Sequence, residues 1–232
     1  MIKLSIIIPV YNEEITLLKV IDKVDCVKLN DIAKEIIVVD DFSTDKTRVF
    51  LKKIKLKSIK IFYHETNKGK GAAIKTGLRH ATGSIILIQD ADLEYNPKEY
   101  KKLLSPIMHG NVKVVYGSRL KAIRKNMKKM YKLNYIGNLF LTLLTNLLYG
   151  AKITDMETGY KVFARNVLKG INLKSNGFGF EPEITAKILK KGYKIKEVDI
   201  DFNPRTVEEG KKISWTDGVK AVYYLLKYRI MD

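Results

Sequence analysis

Short apolar runs alternate with longer amphipathic stretches through the first half of the chain. Residues 4–8, 36–39, 59–62, 85–88 and 112–116 are rich in Ile, Val, Leu, Phe and Tyr and read as strands. Between them, 13–24, 46–54, 72–80 and 98–108 repeat their apolar positions at helical spacing. Further strands are expected at 160–164 and 195–200. Runs that are apolar throughout, without polar alternation, suit strands covered on both faces. The pattern therefore predicts an α/β fold, a mostly parallel sheet flanked by helices. With no linker, low-complexity tract or repeat, residues 1–232 are expected to form one domain.

The strand at 85–88 runs into Gln-Asp-Ala-Asp-Leu-Glu, placing Asp90 and Asp92 one residue apart at its C-terminal end. That edge of an open α/β sheet is where ligands bind. Two carboxylates so close repel unless they share a cation, and all-oxygen ligation favours Mg2+ or Mn2+ with nucleotide phosphates completing the shell. An Asx turn with an exposed acid is the alternative for an isolated pair. The strand at 36–39 likewise ends in Asp40 and Asp41, acceptors suited to a base edge or a ribose hydroxyl. Ser43 or Thr44 is expected to cap the helix that follows. Asn67-Lys-Gly-Lys-Gly-Ala-Ala73 precedes a helix and can offer backbone N–H groups to an anion, although it matches no phosphate-loop pattern.

Charge narrows the partners. The net charge of +18 implies something anionic: nucleic acid, a phosphate-rich substrate or an acidic membrane face. No Asp or Glu occurs from Tyr100 to Thr154, while Lys121, Arg124, Lys125, Lys128, Lys129 and Lys132 crowd together. Residues 133–149 follow, with Asn134, Asn138, Thr142, Thr145 and Asn146 forming a polar stripe opposite a wide apolar arc. At ~1.5 Å per residue such a helix is about 25 Å long, marginal for a span. It suits the plane of a membrane interface; a core or homodimer helix is the alternative. A second amphipathic helix is expected from Ser214, with Asp217 completing a capping box. Cys26 is the single cysteine, and Met1 leads directly into a strand without a basic leader, so a reducing, cytoplasmic setting is expected.

The segments SIIIPVYNEE, IIVVDDFSTDKT, NKGKGAAIKTGL, QDADLEYNP and YGSR, in this order, resemble the nucleotide-sugar half of a family 2 glycosyltransferase of the GT-A (Rossmann-like) fold. ITDMETGYKVFAR, GFGFEPEITAKI and RTVEEGKKISWTDG are similar to the branch that loads a sugar onto a polyisoprenyl phosphate. Phe42 departs from it where glycine is commoner, as does the lack of the C-terminal transmembrane helices many relatives carry. The resemblance implies a nucleotide-sugar half over 1–119 and an acceptor, membrane-facing half over 120–232. It places Pro9, Tyr11, Glu13 and Asp41 around base and ribose, Asp90 and Asp92 on metal and diphosphate, and Glu94 beside them. Arg119 would face phosphates or sugar, and Arg205 and Lys211 would close over the donor. For Arg119 and Pro9, pairing with an acid and ending a strand are the plainer readings.

The implied chemistry is inverting displacement at an anomeric carbon, moving mannose or glucose from GDP-mannose or UDP-glucose to a polyprenyl phosphate on the cytoplasmic face of a membrane. A phosphate acceptor is already ionised at neutral pH and needs cations more than a base. If the acceptor is instead a glycan or lipid hydroxyl, Asp155 and Glu183 are the candidate acids to orient it or deprotonate it, Asp155 ahead of Glu183. A nucleotidyltransferase is disfavoured because no Gly- and Arg-rich loop follows the first strand. No helix-turn-helix, zinc-finger or RNP-like pattern supports nucleic-acid binding.

Overall fold

The computed structural model describes residues 2–110, 112–125, 132–205 and 215–231. In chain order they form β1 (Ile2–Val10), α1 (Leu17–Cys26), β2 (Ile32–Asp40), α2 (Thr47–Lys53), β3 (Ile59–Tyr63), α3 (Lys70–His80), β4 (Ile85–Ile88), α4 (Tyr100–Met108), β5 (Val114–Ser118), α5 (Leu120–Lys125), α6 (Lys132–Tyr149), β6 (Lys161–Ala164), α7 (Phe180–Lys190), β7 (Ile195–Asp199) and α8 (Trp215–Ile230). Seven strands make one sheet in the order β3-β2-β1-β4-β6-β5-β7. All pairings are parallel except those of β6, which runs antiparallel between β4 and β5.

Side-chain alternation along the central strands explains the two layers. Ile6, Ile8, Ile36, Val38 and Leu87 join the apolar cluster packed by α1 and α4, whereas Ile7, Ile37, Val39, Ile86 and Ile88 join the one packed by α3 and α7. Both faces are thus covered, which is why these strands lack polar alternation. Gly77 of α3 sits so close to β1 that an added Cβ would strike the Ile7 side chain. Here glycine sets how closely helix and sheet approach.

The direction of β6 follows from where the chain is when it enters. After β5 ends at the C-terminal edge of the parallel strands, α5, α6 and the segment up to Tyr160 remain on that side. The chain therefore enters β6 from that edge and runs against its neighbours. Residues just before β6 consequently stand beside those just after β4, which brings the two halves of the chain to one place.

Several local expectations shift. The first helix begins at Leu17 because the Glu13 carbonyl accepts the N–H groups of Thr16 and Leu17 in a turn before it. Asp45, not Ser43 or Thr44, holds the Thr47 N–H at 2.9 Å at the start of α2; Ser43 and Thr44 bond Asn12 instead. Asn12, Phe42 and Leu93, each in a loop after one of three adjacent strands, have positive φ of 49°, 66° and 63°. Phe42 thus occupies, at some backbone cost, a conformation for which glycine is the usual solution.

Helix α6 is inverted relative to an ordinary surface helix. Its polar stripe faces the protein, with Asn138 at 8% and Thr145 at 0% exposure, while Leu143 and Leu147 are 68% and 79% exposed. Ile136 and Phe140 continue the outward row, and α8, which packs on α6, adds exposed Val219, Tyr223 and Ile230. Among the described residues no helix is long and apolar enough to cross a membrane. The basic run is divided between helices: Arg124 and Lys125 are exposed at the end of α5, Lys121 pairs with Asp199 at 2.6 Å, and Lys128 and Lys129 lie outside the described residues.

Candidate active site

A cavity of about 810 Å3 opens at the C-terminal edge of the parallel strands. The end of β1, at Pro9, and the loops after β1, β2 and β4, with Tyr11, Glu13, Asp41, Asp90, Asp92 and Glu94, form its wall. Arg119, directly after β5, and Arg205 complete the residues expected there. Lys211 and Ser214 lie outside the described residues.

Arg205 reaches this edge through a patch of sheet-like pairing. Tyr95 bridges Phe202 in antiparallel fashion, the Asn203 N–H bonds the Glu94 carbonyl at 3.0 Å, and the Arg205 N–H bonds Glu94 Oε1 at 2.8 Å. The guanidinium then spans Glu13 at 3.1 Å and Asp92 at 3.2 Å. Asp90 pairs with Lys70 Nζ at 2.9 Å, and Lys70 also holds Glu181 at 2.8 Å. Burial pushes the Asp92 carboxyl up to about 8, reinforced by the charges of Asp90 and Glu94 and opposed by Arg205. Glu94 is raised as well, again chiefly by burial. At Asp92 the neighbouring carboxylates thus outweigh the cation beside them, whereas at Glu94 Arg119 and Arg205 outweigh Asp90.

That imbalance is the condition a divalent cation relieves. No group of three or more His, Cys, Asp or Glu side chains stands at metal-holding separation among the described residues. Glu94 is moreover tied to the Arg205 backbone, so the expected three-residue ligand set is not assembled. Asp90 and Asp92 still supply two oxygen-donor side chains, which fits Mg2+ or Mn2+, ions commonly held by one or two carboxylates plus water and phosphate.

Arg119 is held from behind. Asp155 Oδ2 accepts from its backbone N–H at 2.9 Å and its Nε at 2.7 Å, while Oδ1 accepts from Nη2 at 2.7 Å and from Asn138 Nδ2 at 2.9 Å. Burial disfavours both charges, but each raises or lowers its partner more: Arg119 stays well above its usual pKa and Asp155 below. The guanidinium also lies 5.2 Å from the Phe202 ring centre. Asp155 is therefore a positioning residue for Arg119. With its lone pairs engaged and its proton affinity lowered, it does not fit the general base anticipated for it.

Two other anticipated acids lie elsewhere. Glu183 accepts the Lys174 and Ser175 N–H groups at 2.8 and 2.6 Å and pairs with Lys187 at 3.0 Å, organising the loop before α7 away from the cavity wall. Asp40 is fully buried against Arg48 at 2.6 Å and the Ser43 N–H, behind Asp41. Asp41 accepts the Lys68 and Gly69 N–H groups at 2.9 and 2.6 Å and His64 Nδ1 at 2.7 Å, pinning the glycine-rich segment before α3.

The cavity also contains residues the sequence reading passed over: Lys70, Tyr95, Glu157, Gly159 and Glu181. An added Cβ at Gly159 would collide with the Asp90 carboxylate, so only glycine lets the segment before β6 close on that aspartate. Tyr95 Oη accepts the Gly159 N–H at 2.7 Å, joining the same two loops.

Residues 5–171 match the family described as Glycosyl transferase family 2. The chain belongs to that family. It is 31% identical to the UDP-N-acetylglucosamine–dolichyl-phosphate N-acetylglucosaminyltransferase of Methanococcus voltae over 97% of this chain and 95% of that protein. The dolichyl-phosphate beta-glucosyltransferase of Trichomonas vaginalis is likewise 31% identical, covering 98% of this chain and 73% of the relative. A dolichol-phosphate mannosyltransferase of Pyrococcus furiosus shares 29% identity over 97% of the chain, which spans only 64% of that enzyme. In fold, this family 2 transferase is similar to glucosyl-3-phosphoglycerate synthase of Mycobacterium tuberculosis in complex with Mn2+, UDP and phosphoglyceric acid, with a TM-score of 0.75 at 20% identity over 100% of this chain and 80% of that one. This likeness establishes the GT-A-type architecture expected for a family 2 transferase.

Proposed function

We propose that this family 2 transferase moves a hexose from a nucleoside-diphosphate sugar to a polyprenyl phosphate, with inversion, at the cytoplasmic face of a membrane. The observation that carries the reading is a cavity lined by Asp90, Asp92, Arg119 and Arg205 and bordered by the outward apolar faces of α6 and α8. Relatives named for transfer to dolichyl phosphate support the acceptor class, and their sugars differ: N-acetylglucosamine, glucose and mannose.

In this reading residues 1–119 hold the donor, with Pro9, Tyr11 and Asp41 near the nucleoside, and residues 120–232 face the acceptor. The acceptor oxygen attacks the anomeric carbon as the bond to the diphosphate breaks, leaving the nucleoside diphosphate with one more negative charge. Asp90 and Asp92 would hold Mg2+ or Mn2+, whose charge stabilises that leaving group. Arg205 exchanges its carboxylate partners for the diphosphate, and Arg119, kept in place by Asp155, meets phosphate oxygens of donor or acceptor. Lys211 is assigned to the same donor-closing segment.

The inverted α6 supports peripheral membrane contact, since a row of exposed Leu, Ile and Phe on helices beside a cavity suits acyl chains. The test is a panel of labelled nucleotide sugars incubated with polyprenyl-phosphate vesicles and Mg2+ or Mn2+, following label into organic extract. Transfer to lipid phosphate is expected. Label found only on a glycan or lipid hydroxyl, or a stable dimer buried through α6 and α8 with no vesicle binding, would overturn the acceptor and membrane assignments respectively.

A further inference from the structure

The floor of the cavity holds two carboxyl groups that the displacement chemistry leaves unused. Glu181 opens α7 and its side chain is 6% exposed; Oε1 pairs with Lys70, whereas Oε2 is buried without a partner. Glu157, in the segment leading into β6, also lines the cavity, and its Oε1 is buried without a partner. A buried acceptor left unsatisfied is costly, so a ligand donor at this place is favoured.

The surroundings are built to hold these oxygens rather than to satisfy them. Lys70 ties Glu181 to Asp90, which places the pair beside the carboxylates assigned to the diphosphate end of the donor. Its segment cannot retreat: the Ala72 N–H bonds the Asn176 carbonyl at 2.9 Å, and an added Cβ at Gly71 would stand 2.7 Å from the Ser175 carbonyl. Lys161, the other buried cation nearby, is engaged by the carbonyls of Met156 and Thr158. Burial and the Glu181 charge push the Glu157 carboxyl up to about 8, so beside the acceptor oxygens Glu157 also holds a proton at neutral pH, and the two positions suit hydroxyl groups, which accept as well as donate.

The geometry points to Glu157 and Glu181 as the subsite that reads the hydroxyl groups of the transferred sugar, selecting a neutral or amino hexose and rejecting a hexuronate. This deepens the proposed function and rests on its nucleotide-sugar donor. A sugar hydroxyl donates to a carboxylate oxygen and can accept elsewhere, so two adjacent hydroxyls satisfy both orphan atoms. A uronate carboxylate brings only acceptors to that floor and a like charge with them.

The test is binding without acceptor, in Mg2+, of UDP, GDP and their sugar conjugates to the full chain and to its Glu157→Gln and Glu181→Gln variants. Each variant is expected to weaken the neutral nucleotide sugar about tenfold or more while binding the parent nucleoside diphosphate as the wild type does, which also reports an intact fold. With whichever base is bound, the wild type is expected to favour the neutral hexose over its base-matched uronate, as UDP-glucose over UDP-glucuronate, by at least tenfold. Equal losses for diphosphate and sugar conjugate, no loss for either, or a uronate bound as tightly as the neutral sugar would each overturn the subsite. Failure of the wild type to bind any nucleoside diphosphate would instead overturn the donor reading on which it stands.

Discussion

Removing Asp155 tests whether the Arg119 fork is held as the contacts suggest. Its carboxylate is 1% exposed and accepts from the Arg119 backbone, Arg119 Nε and Nη2, and Asn138. Deleting one member of a buried pair leaves the other charge uncompensated, at a cost of roughly 3–5 kcal/mol. For a chain of this size that corresponds to a fall in Tm of roughly 6–20 °C. Asp155→Ala should show it in thermal or urea unfolding. The double variant Arg119→Met with Asp155→Leu should recover most of the loss, because two apolar side chains leave no stranded charge. Activity should fall in both, since the cation is misplaced in one and absent in the other. Sign gives a further check: the folded Asp155 carboxyl lies below its unfolded value near 3.9, so its contribution is present above about pH 4 and lost as pH falls through the folded value. The deficit of Asp155→Asn should accordingly be full at pH 7 and shrink in acid. A loss below about 1 kcal/mol for Asp155→Ala, or a double variant as unstable as the single, would refute the argument.

Asp92→Asn should lower turnover about 10²–10³-fold and yet raise the Tm of the metal-free protein, because a carboxyl raised to about 8 by burial and like charge destabilises the fold at neutral pH; a lower Tm would contradict this. Arg205→Ala and Lys211→Ala should each weaken nucleotide-sugar binding while shifting Tm by no more than a few degrees, measured by titration and melting; unchanged binding would make the segment structural only. Changing Lys125, Lys128 and Lys129 to Glu should release the protein from anionic vesicles, at about 1 kcal/mol per Lys replaced, while donor binding persists; high salt should do the same through screening, and co-sedimentation is the readout. Leu143→Asp with Leu147→Asp should weaken vesicle binding at any salt without lowering Tm, since both side chains already face outward.

The strands were legible because burial on both faces demands uninterrupted apolar runs, and 85–88 carries that signature over its whole length. The place of β6 was not. Alternation of elements says how often the chain crosses the sheet, not between which neighbours it inserts, and the antiparallel course depends on α5 and α6 keeping the chain at one edge. Site residues next to strand ends could be found because the edge itself is predictable; Glu181 and Lys70 could not, since each needs tertiary contact to matter. Glu183, named from the sequence where Glu181 was not, shows the limit: two residues apart on a helix point roughly 200° away from each other, so the cavity takes Glu181 and the loop before α7 takes Glu183. Polar periodicity in α6 was visible, but that the polar side would turn inward required seeing Asn138 meet Asp155 and Thr142 meet the Met156 N–H.

The insertion of β6 between two parallel neighbours bears on how such an enzyme can change its substrate. A loop at the rim of a sheet tolerates insertion, because its length is free to vary without moving a strand. The segment carrying Asp155, Glu157 and Gly159 has no such freedom: a few residues later it is paired to β4 on one side and β5 on the other. An added residue there would slip a central strand by one position and exchange the side chains facing the two apolar layers. New sugar preferences should therefore arise here by exchange of side chains at fixed length, with Glu157 the position freest to change and Gly159 held by Asp90. Length variation is left to the rim.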